Sequence, residues 1–116
     1  MNTEITSCEA ALRQYFDAFD GRKKNFSEVD ELFDVVSHEK YTLVMDGKTF
    51  DRKMAKDIDA GYLTRGSKVD VIDLRRIDAD RIDVQIRAQS EVECKNIHVV
   101  YTIEDNKVAK AQVIDN

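Results

Sequence analysis

Three side chains in the sequence could take part in proton transfer: Tyr15, Asp46 and His98. A phenol such as Tyr15 is a good donor to a developing enolate when it points into an apolar cavity. A carboxylate such as Asp46 can act as a general base, because desolvation at an apolar mouth raises its pKa toward a useful value. His98, one of only two histidines, can serve as acid, base or donor near neutral pH. Side chains of these types can transfer protons without a metal or an organic cofactor.

Each of these residues also has a purely structural interpretation. Tyr15 lies on the apolar stripe of a predicted helix, where a core tyrosine packs its ring and finds a partner for its hydroxyl. Asp46 precedes Gly47, and Asp-Gly is a common turn pair that needs no function. The residue types alone leave both interpretations open.

The direction of His98 depends on the strand register. A two-residue turn at 93–94 turns His98 outward, beside Gln89. A three-residue loop or a bulge reverses the parity, so that His98, Val100 and Thr102 face inward. The sequence is compatible with either register.

Helical periodicity predicts two helices near the start of the chain. Thr6 and Glu9 form a capping box for the first, whose apolar stripe runs to Phe19 and ends at Asp20-Gly21. The second begins at Ser27, with an amphipathic stripe at Val29, Leu32, Phe33 and Val36. His38 follows it, and a cation there would cap the negative end of the helix.

A third helix is predicted after the Asp46-Gly47 turn. Thr49 or Asp51 can cap its start, and Gly66 suits a left-handed residue just past its end. Its apolar side is predicted to carry three residues four apart: Met54, Ile58 and Tyr62.

Period-two alternation predicts strands at 40–46, 68–77, 81–92, 95–103 and 107–114. The strand at 81–92 shows the alternation best, with one parity occupied by Ile82, Val84, Ile86, Ala88 and Val92. Because the last four strands are joined by hairpin-sized connections, they should pair antiparallel with their neighbours. Helices followed by such a meander predict an α+β fold.

The bulk properties narrow the class of protein. The 116 residues fit one domain, 1–116, large enough for a hydrophobic core. A net charge of −5 with scattered basic residues disfavours nucleic-acid binding. Cys8 and Cys94 have no metal-ligand or disulfide-framework spacing. The chain shows neither a secretory signal nor a stretch of membrane-spanning length, which predicts a soluble cytoplasmic protein.

Three segments resemble the cone-shaped fold of the nuclear transport factor 2-like (NTF2-like) superfamily, which includes SnoaL-like polyketide cyclases and ketosteroid isomerases. They are ALRQYFDAFDGR, YTLVMDGKTFDRKMAKDI and the hairpins after Ser67. The resemblance implies three helices on a strongly bent antiparallel sheet around a pocket, and a homodimer. It also implies an oxyanion-hole tyrosine at Tyr15, a general base at Asp46, and His98 where the isomerases carry a protonated aspartate.

The combined prediction is a protein that binds a small hydrophobic ligand or substrate. Phe19, Tyr62 and Val100 are the predicted ligand contacts, beside Tyr15, Asp46 and His98 as the catalytic groups. The activity would be a cofactor-independent isomerase, cyclase, dehydratase or hydrolase that works by proton transfer. The alternative is a non-catalytic dimerisation or ligand-binding module of the same fold.

Overall fold

A computed structural model describes residues 7–114 as three helices packed on one six-stranded sheet. The helices are α1 Cys8–Ala18, α2 Phe26–Val36 and α3 Arg52–Thr64, with a single 3₁₀ turn at Gly21–Lys23. The strands are β1 Ser37–Met45, β2 Lys48–Asp51, β3 Lys68–Asp78, β4 Arg81–Gln89, β5 Cys94–Glu104 and β6 Lys107–Ile114. The predicted α+β class is confirmed.

The strands are ordered β2-β1-β6-β5-β4-β3. The last four pair antiparallel in sequence order, as the short connections predicted. However, β1 runs parallel to β6, so the sheet is mixed rather than antiparallel throughout. The ladders β1–β6, β3–β4 and β5–β6 contain register shifts. Such irregularities let a sheet bend and wrap around the helices.

The start of α1 is capped one residue later than predicted. Ser7 is the N-cap, and its hydroxyl accepts a hydrogen bond from the backbone N–H of Ala10 at 3.1 Å. Thr6, the predicted cap, lies outside the described residues. The predicted stripe is buried as expected, with Leu12, Tyr15 and Phe16 facing the core.

The junction between α2 and β1 is tighter than the sequence suggested. The helix ends at Val36 and β1 begins at once with Ser37, so His38 is a strand residue and not a helix cap. Nδ1 of His38 accepts a hydrogen bond from the backbone N–H of Lys40, and its Nε2 lies 3.4 Å from Asp105.

The boundaries of α3 follow from its flanking residues. Asp51 is the N-cap and accepts from the N–H of Met54 at 2.9 Å, whereas Thr49 belongs to the short strand β2, which the sequence analysis missed. Gly66 has a φ of +79° just past the helix end, which favours glycine. The buried face is also shifted, because Ala55 and Leu63 are buried while Met54 is 48% exposed.

The β4–β5 hairpin corrects the predicted register. Ile86 pairs with Ile97 and Gln89 with Cys94, so the loop is 90–93 and Val92, 93% exposed, is not a strand residue. The shift from the expected pairing is an even number of residues, so the inward parity of β5 survives.

The backbone makes a close approach at Gly21, where the chain passes the end of α3. Its N–H donates to Ser67 O at 2.8 Å, and a Cβ built on Gly21 would lie 2.1 Å from Leu63 O. Any side chain here would push α1 away from α3.

We expect Gly21→Ala to lower the free energy of unfolding by about 2 kcal/mol or more, because the new methyl would clash with backbone atoms of Leu63 and Gly66. Gly61→Ala is the matched control. Its Cβ would meet nothing closer than the Arg65 guanidinium at 3.8 Å, and alanine should raise helix stability by about 1 kcal/mol or less. Chemical denaturation of both variants measures the difference, and equal effects would contradict the proposed backbone contact.

Candidate functional site

A cavity of about 420 Å³ lies between the helices and the inner face of the sheet. Its walls are mainly apolar and aromatic side chains from all three helices and from β1, β3, β4, β5 and β6. Its polar lining residues are Tyr15, Tyr41, Asp46, Asp59, Tyr62, Ser67, Lys95, Asn96 and Tyr101. A cavity of this size, apolar with a few polar groups, has the character of a small-molecule site.

Tyr15 and Asp59 form the central polar contact of this cavity. Tyr15 is 6% exposed, and its hydroxyl donates a short hydrogen bond to Oδ2 of Asp59. The two residues come from α1 and α3, so the bond joins the two helices across the core. Burial raises the pKa of Asp59 to about 6, while the hydrogen bond from Tyr15 lowers it in part. A carboxyl group with such a pKa is mostly ionised at neutral pH and is a competent general base.

Two further tyrosines line the same cavity from the sheet. Tyr41 on β1 and Tyr101 on β5 are 9% and 8% exposed, and neither hydroxyl hydrogen-bonds to any residue within 7–114. Burial raises the pKa of each phenol, and the charge of Asp59 raises both further. Burial, reinforced by the charge of Asp59, therefore keeps these hydroxyls protonated, and they remain available as hydrogen-bond donors.

The sheet register places both tyrosines on the inner face of the sheet. Ala111 on β6 pairs with Tyr101 on one side and with Leu43 on the other. Tyr41 lies two residues before Leu43 on the same inward parity. Ala111, which is buried, leaves room for the large rings on the neighbouring strands. Phe33 of α2 then packs edge-on against Tyr41, with ring centroids 5.1 Å apart.

The remaining polar lining residues include Asp46 and Lys95. Asp46 is exposed in the β1–β2 turn, with a φ of +54°, and Lys95 begins the inward-facing part of β5. Lys95 Nζ lies 5.9 Å from the centroid of the Tyr62 ring. The structure thus places Tyr15, Phe19, Asp46 and Tyr62 around one cavity.

His98 and Val100 lie elsewhere, on the outer face of the sheet. His98 pairs with Gln85, not Gln89, and its Nε2 makes a short contact with the Asp83 carboxylate. Val99 and Tyr101 point inward, so His98 and Val100, on the opposite parity, point outward. This corrects their predicted placement in the pocket, and Asp46 and His98 do not share a site.

One group of side chains within residues 7–114 has the spacing of metal ligands. His38, Glu104 and Asp105 offer ligand atoms within 4.8 Å of one another. Because Nδ1 of His38 accepts from the Lys40 N–H at 3.0 Å, the neutral imidazole carries its proton on Nε2, which faces Asp105. A metal on Nε2 would require a proton on Nδ1, opposite another N–H. The group therefore fits a histidine–carboxylate contact better than a metal centre.

Sequence reasoning missed Asp59, Tyr41 and Tyr101. Asp59 had a detectable signal, because it lies four residues from both Ala55 and Leu63 and so occupies the buried face of α3. An acid between two buried apolar residues at helical spacing needs a partner. Tyr41 and Tyr101 gave no such signal, since tyrosine is common in strands.

No protein-family model matches the chain, and no curated protein sequence matches it. The chain does match several solved structures. The chain is similar to an NTF2-like protein of unknown function from Cytophaga hutchinsonii, with 12% identity and a TM-score of 0.75 over 100% of this chain and 95% of that one. It is also similar to an uncharacterized cystatin-fold protein from Novosphingobium aromaticivorans, with 10% identity and a TM-score of 0.75 over 95% and 99% of the two chains.

A third similar structure is a candidate ketosteroid isomerase from Kribbella flavida, with 17% identity and a TM-score of 0.71 over 94% of this chain and 78% of that one. At these identities the likenesses show the fold alone. The NTF2-like, cystatin-like α+β fold predicted from the sequence is confirmed.

None of the helices within the described part of the chain is long and apolar enough to cross a membrane.

We expect Tyr15→Phe to raise the pKa of Asp59 above about 6, because the substitution removes a hydrogen bond that stabilises the carboxylate. NMR titration of the Asp59 carboxyl carbon measures the change. Tyr62→Phe removes a hydroxyl from the same cavity without touching that bond, so its titration curve should match the parent. A lowered pKa in Tyr15→Phe would contradict the assigned direction of the hydrogen bond.

Proposed function

We propose that the chain binds a small, largely apolar molecule that carries a carbonyl oxygen, and catalyses proton transfer at the adjacent carbon. The observation that supports this best is the Asp59 carboxylate, held by Tyr15 and facing an apolar cavity. The reaction class is that of an isomerase, a cyclase or a dehydratase, all of which can proceed through an enolate.

Asp59 takes the role of the general base. It accepts the proton from carbon and becomes a neutral carboxylic acid, while the electron pair moves onto the carbonyl oxygen. Tyr15 is a positioning residue in this account, because its hydroxyl is directed at Asp59 and fixes which carboxylate oxygen remains free. This replaces Asp46 as the base, since Asp46 is an exposed turn residue.

Tyr41 and Tyr101 are the proposed donors to the enolate oxygen. Both side chains are largely buried and line the cavity, and their hydroxyls make no hydrogen bond to any described residue. A ligand oxygen that accepts from both would give these hydroxyls a partner, and the two donors would bind the charged enolate more strongly than the neutral carbonyl.

Asp46, Phe19 and Tyr62 are proposed to contact the ligand without taking part in the chemistry. Phe19 is buried in the cavity wall, and Tyr62 lies beside two cations, Arg65 and Lys95. The outward position of His98 and Val100 removes them from this proposed site.

The fold's relatives are consistent with such chemistry. A candidate ketosteroid isomerase from Kribbella flavida and a candidate SnoaL-like polyketide cyclase from Jannaschia share the fold with this chain. Their names describe those proteins, and the proposal for this chain rests on its own side chains.

The activity can be tested by following deuterium incorporation next to the carbonyl of a panel of apolar cyclic ketones in D₂O by NMR. We expect the parent protein to accelerate exchange, with a rate that rises with pH through about 6, because Asp59 must be ionised to act. Asp59→Asn should lose roughly a hundredfold or more of the acceleration. Tyr41→Phe and Tyr101→Phe should each lose roughly tenfold to a hundredfold, since one donor remains.

Asp57→Asn is the matched control for Asp59→Asn. Asp57 lies on the same helix but is exposed, where it pairs with Lys53 at 3.7 Å. The control should exchange ketones like the parent. If the parent binds apolar probes yet exchanges none of the ketones, and Asp59→Asn binds equally well, the non-catalytic ligand-binding module is the better description.

We also propose a homodimer that forms through the outer face of the sheet. This face carries half-buried Val100 and Thr102 next to the His98–Asp83 contact. Light scattering at tens of micromolar protein should give a dimeric mass, and Val100→Glu should give a monomer. Val35→Glu, which puts the same charge on an exposed site of α2, should leave the mass unchanged. A monomeric parent would remove the dimer.

A further inference from the structure

A second cavity, of about 330 Å³, lies on the helical side of the molecule. It is lined by α2, α3 and Tyr15 of α1, and its polar residues besides Tyr15 are Ser27, Asp30, Lys56 and Asp59. The proposed ligand cavity lies on the sheet side of the same helices. The two cavities therefore approach the core from opposite directions.

The Tyr15–Asp59 pair stands where the two cavities meet. Within residues 7–114, three residues line both of them: Tyr15, Phe33 and Asp59. This explains why Asp59 keeps some accessible surface although it sits between buried residues of three helices. One carboxylate thus borders both the ligand cavity and a separate opening.

The charged groups at the second cavity can hold water. Lys56 Nζ lies 3.2 Å from Asp30 and 2.7 Å from Asp34, so its ammonium is fixed at the rim by two carboxylates. Water in a protein cavity needs two to four polar partners, and Asp59, Tyr15, Lys56, Asp30 and Ser27 supply them. By contrast, an apolar ligand would displace water from the first cavity.

We infer that the helical-side cavity is a water-binding site through which Asp59 exchanges its proton with solvent while a ligand fills the sheet-side cavity. This inference rests on the proposed function of Asp59 as a base. When Asp59 has taken a proton from the ligand, the acid exchanges that proton for one from water on the helical side, and the exchanged acid then gives a proton to the enolate carbon. One proton enters from water for each that leaves to it, so the carboxylate is restored, the product is neutral and no other reactant is needed.

The route can be tested without knowing the ligand. The rate at which the Tyr15 hydroxyl exchanges with water is measured by NMR, from the Cζ carbon signal of Tyr15 in a mixture of equal parts H₂O and D₂O. Ala60 lines the helical-side cavity and Ala88 lines the sheet-side cavity, so Ala60→Leu and Ala88→Leu add the same side chain to either route. Neither residue belongs to the proposed catalytic groups.

We expect Ala60→Leu to slow the exchange by an order of magnitude or more and Ala88→Leu to leave it within about twofold of the parent. Ser27→Leu, at an exposed position of the same cavity, should also slow it and guards against a folding defect in one variant. Slower exchange in Ala88→Leu alone would assign the route to the ligand cavity and overturn the inference. Unchanged exchange in all three variants would show that the hydroxyl exchanges through opening of the fold. That outcome would also overturn the inference.

Failure of this test is distinguishable from failure of the proposed function. If Ala60→Leu exchanges like the parent but Asp59→Asn abolishes ketone exchange, the base is correct and the route is wrong. If Asp59 is dispensable for ketone exchange while Ala60→Leu slows hydroxyl exchange, the route exists without the catalytic role.

Discussion

The hydrogen bond between Tyr15 and Asp59 is the interaction on which the site depends. The bond holds the Asp59 carboxylate inside the hydrophobic core, where the desolvation of its charge lowers the stability of the fold. The folded state raises the pKa of Asp59 from 3.8 to about 6, so it binds the proton more tightly than the unfolded chain does. The contribution of Asp59 to the free energy of unfolding is therefore greatest at low pH. It falls by about 3 kcal/mol as the pH rises from about 4 to about 6.

The fold can tolerate that cost because the surrounding aromatic packing is extensive. Phe33 contacts one tyrosine of α1 and one tyrosine of β1. Its ring centroid lies 6.0 Å from that of Tyr15 and 5.1 Å from that of Tyr41. The cations of Arg52 and Lys56 also lie within 6 Å of the Phe33 centroid. One ring of α2 thus contacts cations of α3 as well as a phenol of the sheet.

The parts of this structure that follow from local patterns were predictable, and the parts that follow from long-range packing were not. The stripe of α1, the Asp46-Gly47 turn and the strand β6 were anticipated, because each depends on residues close in sequence. The parallel pairing of β1 with β6 and the four-residue loop at 90–93 depend on how the sheet bends, which period-two alternation does not encode.

The same distinction applies to the candidate site. Tyr15 and the cavity position of Phe19 could be expected from the α1 stripe, whereas the partner of Tyr15 lies 44 residues away on another helix. His98 was a chemically reasonable candidate, but whether a strand residue faces the core is decided by the parity of its strand. Residue type therefore suggested the kind of chemistry that is proposed, and only the assembled fold brought the carboxylate of Asp59 into the proposed site.

The proposed mechanism also accounts for why a costly carboxylate would be held in an apolar cavity. Before proton transfer the negative charge is on Asp59, and afterwards it is on the ligand oxygen beside Tyr41 and Tyr101. The cavity therefore carries one negative charge throughout, and the reaction displaces that charge without creating a new one. Most of the desolvation penalty is already present in the folded resting state, where it appears as the raised pKa of Asp59. Fixed phenol donors then need little reorganisation when the charge reaches them, which is the condition under which electrostatic stabilisation of a transition state is most effective.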